Sequence, residues 1–240
     1  MKLALSNICL NSKEDFDRLV KEQGLAVESA YNKLDSRSIA VQSLFYDMPE
    51  GFNIRHADFA RVTMERLLHI SNNVATHRFV PVVFGSPKVR NVLNDDDYGG
   101  LVHDLYAIQR SGREVGCNAS LCIENVSTLY GSNVFNTVES VNSGGISLSL
   151  DLGNAFLEKE DLSKVNLALA RHVHISAPNL IPISAVEDPE YFQFLKNSLK
   201  SLASVGYSGY ISIEMKPCTY WEAKESVLLV KEMLNEVQSI

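Results

Sequence analysis

Short apolar segments with a polar residue at every second position recur along this chain. In residues 120–124, Leu121 and Ile123 share one face while Cys122 and Glu124 share the other, because side chains alternate along a β-strand. Repeated along the chain, the pattern predicts strands at 2–6, 24–28, 38–44, 79–84, 120–124, 147–151 and 171–176, and a last strand that ends at Glu214. We therefore expect eight strands.

Segments with apolar residues at helical spacing separate these strands. Ser12 is a helix cap and Gly24 a helix stop, which predicts a helix over 12–23, and Pro189 in a first turn predicts another over 188–203. The remaining predicted helices cover 56–73, 97–113, 133–141, 158–170 and 219–237.

The alternation of strands and helices is typical of a parallel sheet. A single α/β domain over residues 1–240, closed as a (β/α)8 TIM barrel, explains why polar residues stand at the carboxyl ends of strands, since such barrels keep their chemistry at that rim. An open doubly wound sheet is the competing fold. It needs a glycine-rich turn after the first strand, and residues 6–10 contain no glycine.

Four strand ends carry residues that bind metal ions. The strands that end at Glu124, Asp151, His174 and Glu214 would aim three carboxylates and an imidazole at one point if they lie side by side. This donor set suits a divalent ion such as Mn²⁺, Mg²⁺, Co²⁺ or Zn²⁺ and disfavours soft ions that prefer thiolates. His172 faces the same way one layer below, where we expect a buried, hydrogen-bonded histidine.

Composition narrows the class of protein. A net charge of −7 argues against sequence-independent nucleic-acid binding. The four cysteines have neither zinc-site spacing nor the density of a disulfide scaffold, which indicates a reduced, cytoplasmic protein. The first residues do not resemble a signal peptide, and the sequence contains no run of about 18 apolar residues, so we expect no membrane span.

Six motifs make the chain resemble the sugar phosphate isomerase/epimerase family of the xylose isomerase-like TIM barrel superfamily. They are IAVQSLF at 39–45, VFGSPKVR at 83–90, CIEN at 122–125, LDLG at 150–153, HVHISAP at 172–178 and ISIEMK at 211–216. The resemblance implies that Glu124, Asp151, His174 and Glu214 hold the divalent metal ion, and that the two glutamates move the proton.

The expected reaction is proton transfer on a sugar or sugar phosphate through an enediolate. Glu124 and Glu214 acting from opposite faces would give epimerisation, whereas one glutamate acting on one face would give aldose-ketose isomerisation, and the sequence leaves both open. The candidate substrate-binding residues are Glu28, Gln42, Lys88, Arg90, Asn154 and Lys216.

Two positions depart from the better understood epimerases of this superfamily. Asn154 stands where those proteins have histidine, and residues 177–180 lack an expected arginine. A dehydratase or hydroxypyruvate isomerase of the same superfamily is an alternative, as is a non-catalytic barrel that acts as a binding component. An AP endonuclease fits less well, because it needs more rim histidines than six in the whole chain can supply and a basic surface. A homo-oligomer is compatible with the sequence.

Overall fold

Eight parallel strands follow one another around a closed barrel in a computed structural model of the chain. The structure describes residues 1–30, 37–43, 81–84, 106, 109–110, 113–114, 120–125 and 145–239. The strands are β1 (Lys2–Ser6), β2 (Ala26–Ala30), β3 (Ser38–Ser43), β4 (Pro81–Phe84), β5 (Ser120–Glu124), β6 (Ser147–Asp151), β7 (Ala170–Ser176) and β8 (Tyr210–Glu214). Each pairs with the next, and β8 pairs with β1. The predicted TIM barrel is confirmed.

Four α-helices are described in full outside this barrel: α1 (Lys13–Gln23), α2 (Leu152–Leu157), α3 (Pro189–Ser204) and α4 (Tyr220–Gln238). Ser12 caps α1 by accepting the backbone N–H of Asp15, and Gly24 ends it with a φ of 60°. Thr219 and Glu222 form a capping box at the start of α4. None of the helices in the described residues has both the length and the apolar character that a membrane span requires.

The two faces of the barrel wall differ in chemistry. One face of the strands packs into the hydrophobic core that they share with the surrounding helices, and its residues include Val27, Val173, Ile175, Ile211 and Ile213. By the alternation along each strand, the opposite face points into the barrel. On β1, β6 and β8 that face carries small side chains, including Ala4, Ser6, Ser149 and Ser212, rather than the bulky branched residues that usually fill such barrels. The small residues leave room for larger polar side chains.

One predicted helix is wrong and one strand is shifted. The segment 158–170 contains two short 3-10 turns, Leu162–Lys164 and Leu167–Leu169, instead of a helix. Its Asp161 side chain accepts the Ser163 backbone N–H, and this local turn competes with helical hydrogen bonding. β2 starts and ends two residues later than predicted, so Glu28 lies within the strand rather than at its end.

Several other predicted helices lie wholly or partly outside the described residues. The predicted helices over 56–73 and 133–141 are outside them altogether. Of the predicted helix over 97–113, residues 106, 109, 110 and 113 are described, and all are helical.

Candidate metal centre

The four predicted ligands come from four adjacent strands. β5, β6, β7 and β8 are neighbours, and their registers pair Glu124 with Ser149, Asp151 with His174, and Ser176 with Glu214. The strand ends therefore stand at similar heights on the barrel rim. Because all strands run the same way and the four side chains point inward, the barrel brings them to one place.

Distances show how tightly this cluster is packed. Nδ1 of His174 lies 2.8 Å from Oε1 of Glu124, 3.5 Å from Oε2 of Glu214 and 3.9 Å from Oδ2 of Asp151. One ligand atom from each of the four residues falls within 4.8 Å of the others, and all four residues are buried. The cluster thus offers three carboxylates and one imidazole to a common centre.

Asp151 is fixed by hydrogen bonds with Asn125, directly after β5, with Ser176 on β7 and with Asn154 in α2. Asn125 accepts the backbone N–H of Asp151 at 2.6 Å and donates to its carbonyl oxygen at 2.9 Å. The Ser176 hydroxyl donates to the Asp151 carboxylate, and the backbone N–H of Asn154 donates to Oδ1 at 2.7 Å. This last contact makes Asp151 the N-cap of α2. The carboxylate is therefore held in place before any ligand binds.

Packing acidic groups out of water changes their protonation. Burial is the main reason why the pKa of Asp151 is raised to about 6, and the negative charge of Glu124 adds to this effect. The charge of His174 and the hydrogen bonds from Asn154 and Ser176 lower the pKa but do not outweigh burial. Burial also raises the pKa of Glu214 to about 8, and the charges of Glu124 and Asp151 add to this against the opposing charge of His174. Burial alone would lower the pKa of His174, but the charge of Glu28 and the hydrogen bonds to Glu124 and Glu28 raise it well above 6.5. Without a metal ion, the cluster therefore keeps protons at pH values at which ordinary carboxyl groups have released them.

A divalent cation fits this cluster. Three buried carboxylates within one small volume repel one another, and a cation at their centre would replace protons as the balancing charge. Oxygen donors with a single imidazole are the ligands of Mg²⁺, Mn²⁺ and similar ions. The residues that would hold the ion are Glu124, Asp151, His174 and Glu214.

Behind this cluster His174 meets a fourth carboxylate. Its Nε2 lies 2.9 Å from Oε1 of Glu28, and Nε2 of His172 lies 3.2 Å from the same oxygen. The two imidazole rings meet edge to face, with centroids 4.9 Å apart. Burial would raise the pKa of Glu28, but the charges of His174 and His172 outweigh it and lower the pKa below its ordinary value. His172 is buried as expected, but within the described part of the chain neither of its ring nitrogens has a partner with hydrogen-bond geometry, and its contact with Glu28 is an ion-pair distance alone.

The predicted substrate-binding residues are not all gathered at this cluster. Asn154 lies next to Asp151 and is half-buried, whereas Lys216 is exposed two residues beyond Glu214. For Gln42 the structure describes the backbone in β3 alone. Lys88 and Arg90 lie outside the described residues.

The sequence predictions did not include Asn125 and Ser176 among the site residues. Asn125 belongs to the motif CIEN at 122–125, and Ser176 belongs to the motif HVHISAP at 172–178. Their positions could have identified them, because Asn125 directly follows the predicted ligand Glu124 and Ser176 stands two residues beyond the predicted ligand His174.

Comparison with solved structures identifies the fold. An L-ribulose 3-epimerase superposes with a TM-score of 0.76 and 14% sequence identity, covering 100% of this chain and 96% of that one. A sugar phosphate isomerase/epimerase from Parabacteroides distasonis gives a TM-score of 0.69 and 12% identity, covering 98% and 94%. The chain has the xylose isomerase-like barrel fold.

This xylose isomerase-like fold also occurs outside sugar chemistry. A family 2 AP endonuclease from Brucella melitensis has a TM-score of 0.67 and 16% identity, covering 96% of this chain and 98% of that one. No family model matches the sequence, and no curated protein matches it. The fold alone is therefore compatible with more than one activity.

Proposed function

We propose that the chain is a divalent-metal-dependent sugar isomerase or epimerase. The observation that carries the proposal is the convergence of Glu124, Asp151, His174 and Glu214 within 4.8 Å at the carboxyl rim of the barrel. Sugar isomerases and epimerases among the structural neighbours support the same class of reaction. Mn²⁺, Mg²⁺, Co²⁺ and Zn²⁺ remain the candidate ions.

The chemistry divides between the ion and the protein. A bound ion would act as a Lewis acid, which polarises the substrate carbonyl and stabilises the negative charge that develops on the carbonyl oxygen. The protein supplies the proton transfer. The carboxylate of Glu124 or Glu214 removes the proton from the carbon next to the carbonyl, and the substrate becomes an enediolate. Returning a proton completes the reaction without net oxidation or reduction.

The position of the two glutamates allows either stereochemical outcome. Glu124 ends β5 and Glu214 ends β8, with β6 and β7 between them. If one glutamate takes the proton and the other returns it to the opposite face, the carbon is inverted and the sugar is epimerised. If one glutamate does both on one face, the product is the aldose or ketose isomer.

Recognition of the sugar would fall to five of the residues that the sequence predicts as substrate contacts. We propose that Gln42, Asn154 and Lys216 contact substrate hydroxyl groups, and that Lys88 and Arg90 hold a phosphate or carboxylate when the substrate has one. A small carbohydrate is the expected partner and nucleic acid is not. A cytoplasmic location and a homo-oligomer stay predictions.

Solvent exchange tests the proposal directly. The protein loaded with Mn²⁺ is incubated with a panel of ketoses and ketose phosphates in deuterium oxide, and deuterium at carbon is followed by NMR. Glu124→Gln and Glu214→Gln keep the side-chain shape but remove the base, so we expect exchange to fall by at least ~10²-fold in one or both. Glu158→Gln, at an exposed position, is the matched control. Undiminished exchange in both site variants would exclude the proposed roles.

A second candidate is a barrel that binds a carbohydrate without converting it. Asn154 stands beside Asp151, where the better understood epimerases have histidine, and the turn Pro178–Leu180 contains no arginine. Sugar binding without exchange, over the whole panel and with metal present, would favour this candidate over the enzyme.

A further inference from the structure

The two ring nitrogens of His174 face different groups. Nδ1 faces the rim cluster, where Glu124 lies at 2.8 Å and Glu214 at 3.5 Å. Nε2 faces the interior of the barrel, where Oε1 of Glu28 lies at 2.9 Å. An imidazole that binds one metal ion uses one nitrogen and keeps a proton on the other. In this geometry Nδ1 is the nitrogen that would bind the ion, and Nε2 is the nitrogen that would keep its proton.

We propose that Glu28 is a positioning residue for the metal centre: its carboxylate accepts the Nε2–H of His174, and so fixes the ring orientation and the tautomer that leaves Nδ1 free for the ion. The inference rests on the proposed function, because it presupposes a metal ion at the rim cluster. It gives Glu28 a role different from the substrate contact that the sequence predicted. Glu28 acts through His174 and touches neither ion nor substrate.

Burial makes this contact more than an incidental ion pair. Glu28 is 1% exposed and His174 is fully buried, so the hydrogen bond has no water to compete with it. A buried carboxylate is costly unless it is paired, and an apolar residue at this position would avoid that cost. The strand register places Glu28 beside Ser6 of β1, and neither side chain of the pair projects to solvent. Among the described residues, the two imidazoles of His172 and His174 are the charged partners that the Glu28 carboxylate meets.

The surroundings of Glu28 hold the ring of His174 in place. His172 packs edge to face against His174 and brings its Nε2 to 3.2 Å from Oε1 of Glu28. Small residues on the inward faces of β6 and β8, Ser149 and Ser212, leave the space that two imidazoles need. Metal-binding histidines are commonly oriented by a carboxylate on their second nitrogen, and loss of that partner typically costs about 10–100-fold in metal affinity.

The same atoms suggest a competing arrangement. Glu28, His172 and His174 each offer one atom within 4.8 Å of the others, which is the spacing of a second cation site. With both sites filled, His174 would have to bridge two ions and give up both ring protons. The positioning role requires only one proton to leave the ring. Metal stoichiometry separates the two arrangements.

The test compares Glu28→Gln with Glu232→Gln, a matched change at an exposed position of α4. Mn²⁺ affinity and stoichiometry are measured by calorimetry on the full chain, after circular dichroism and thermal unfolding have shown a folded protein. We expect one ion per chain in the wild type, a loss of about 10–100-fold in affinity for Glu28→Gln, and no change for Glu232→Gln. If Glu28→Gln does not fold, Glu28→Asp, which keeps the charge but withdraws it by one methylene, replaces it with the same expected direction.

Imidazole ¹⁵N NMR supplies a readout that a structural role alone would not move. In the Zn²⁺-loaded protein, the His174 signals, assigned with His174→Asn, should report a proton on Nε2 in the wild type. A mixture of tautomers in a folded Glu28→Gln protein would support the proposal. Unchanged Mn²⁺ affinity in that variant, or two ions per wild-type chain with one lost on substitution, would overturn it. No Mn²⁺ or Zn²⁺ binding by the wild type would instead contradict the proposed function.

Discussion

Ser176 shares its hydroxyl hydrogen between the two oxygens of the Asp151 carboxylate, which lie 2.9 and 3.0 Å from its Oγ. The two residues sit on adjacent strands, β6 and β7, at the rim of the barrel. Ser176 also accepts a hydrogen bond at its carbonyl oxygen from the hydroxyl of buried Tyr191 on α3, at 2.9 Å. The position of Asp151 is thus linked through Ser176 to a helix outside the barrel.

Ser176→Ala should weaken Mn²⁺ binding without unfolding the protein. The substitution removes the hydroxyl that orients Asp151, and a net hydrogen bond of ~1 kcal/mol corresponds to about a 5-fold loss of affinity. Calorimetric titration with Mn²⁺ measures it. Ser204→Ala at the exposed end of α3 is the control, and equal affinities in the two variants would show that Ser176 does not orient the ligand.

Gly153→Ala should destabilise the fold and weaken metal binding, although it adds only one methyl group. A Cβ built on Gly153 would overlap the carbonyl and hydroxyl oxygens of Ser176, so α2 would have to move away from β7. We expect a loss of ~1–3 kcal/mol in the free energy of unfolding, as for other overpacked sites, and weaker Mn²⁺ binding through the displaced Ser176. Urea unfolding checks the first effect. Lys200→Ala, on the exposed face of α3, should leave stability within ~0.5 kcal/mol of the wild type.

The metal-free protein should lose stability as the pH rises from about 6 to about 8. Glu214 has a folded pKa of about 8 against an ordinary 4.5, so in this window the folded chain keeps a proton that the unfolded chain has released. His174, whose pKa is also raised, acts in the same direction. Because the folded state binds more protons, the free energy of unfolding falls as pH increases.

Urea unfolding of the chelator-treated protein at several pH values measures this slope. In Glu214→Gln the proton of Glu214 is absent from both states, so the slope should become shallower. A wild-type stability that rises over this pH range would contradict the assigned protonation.

Metal affinity should show the opposite pH dependence and increase over the same range. At about pH 6 an incoming ion must displace protons from Glu214 and from Nδ1 of His174, whereas at about pH 8 fewer protons remain to be displaced. Calorimetric titrations in two buffers of different ionisation enthalpy give the number of protons released. Binding of Mn²⁺ without proton release at about pH 6 would show that the ion does not enter this cluster.

Local sequence signals gave the correct fold where one interaction dominates. Alternation of apolar and polar residues identified the strands, and Ser12, Gly24 and Thr219 marked helix ends through hydrogen bonds that need only neighbouring residues. The predicted helix over 158–170 was wrong because the short turn at Asp161 competes with helical bonding. α2 is not among the predicted helices, because its six residues are too few to show helical periodicity.

The sequence by itself determined the four strand-end residues proposed as metal ligands and the parallel order of the strands that carry them, because strand alternation and the common direction of the strands depend on near neighbours and on the order of elements. Only the tertiary structure decided what stands behind the ligands. Glu28 lies 146 positions from His174 along the chain, and Asn125 lies 26 from Asp151. Closure of the barrel and the exact strand register bring these pairs into contact, and no local pattern of residues contains that information.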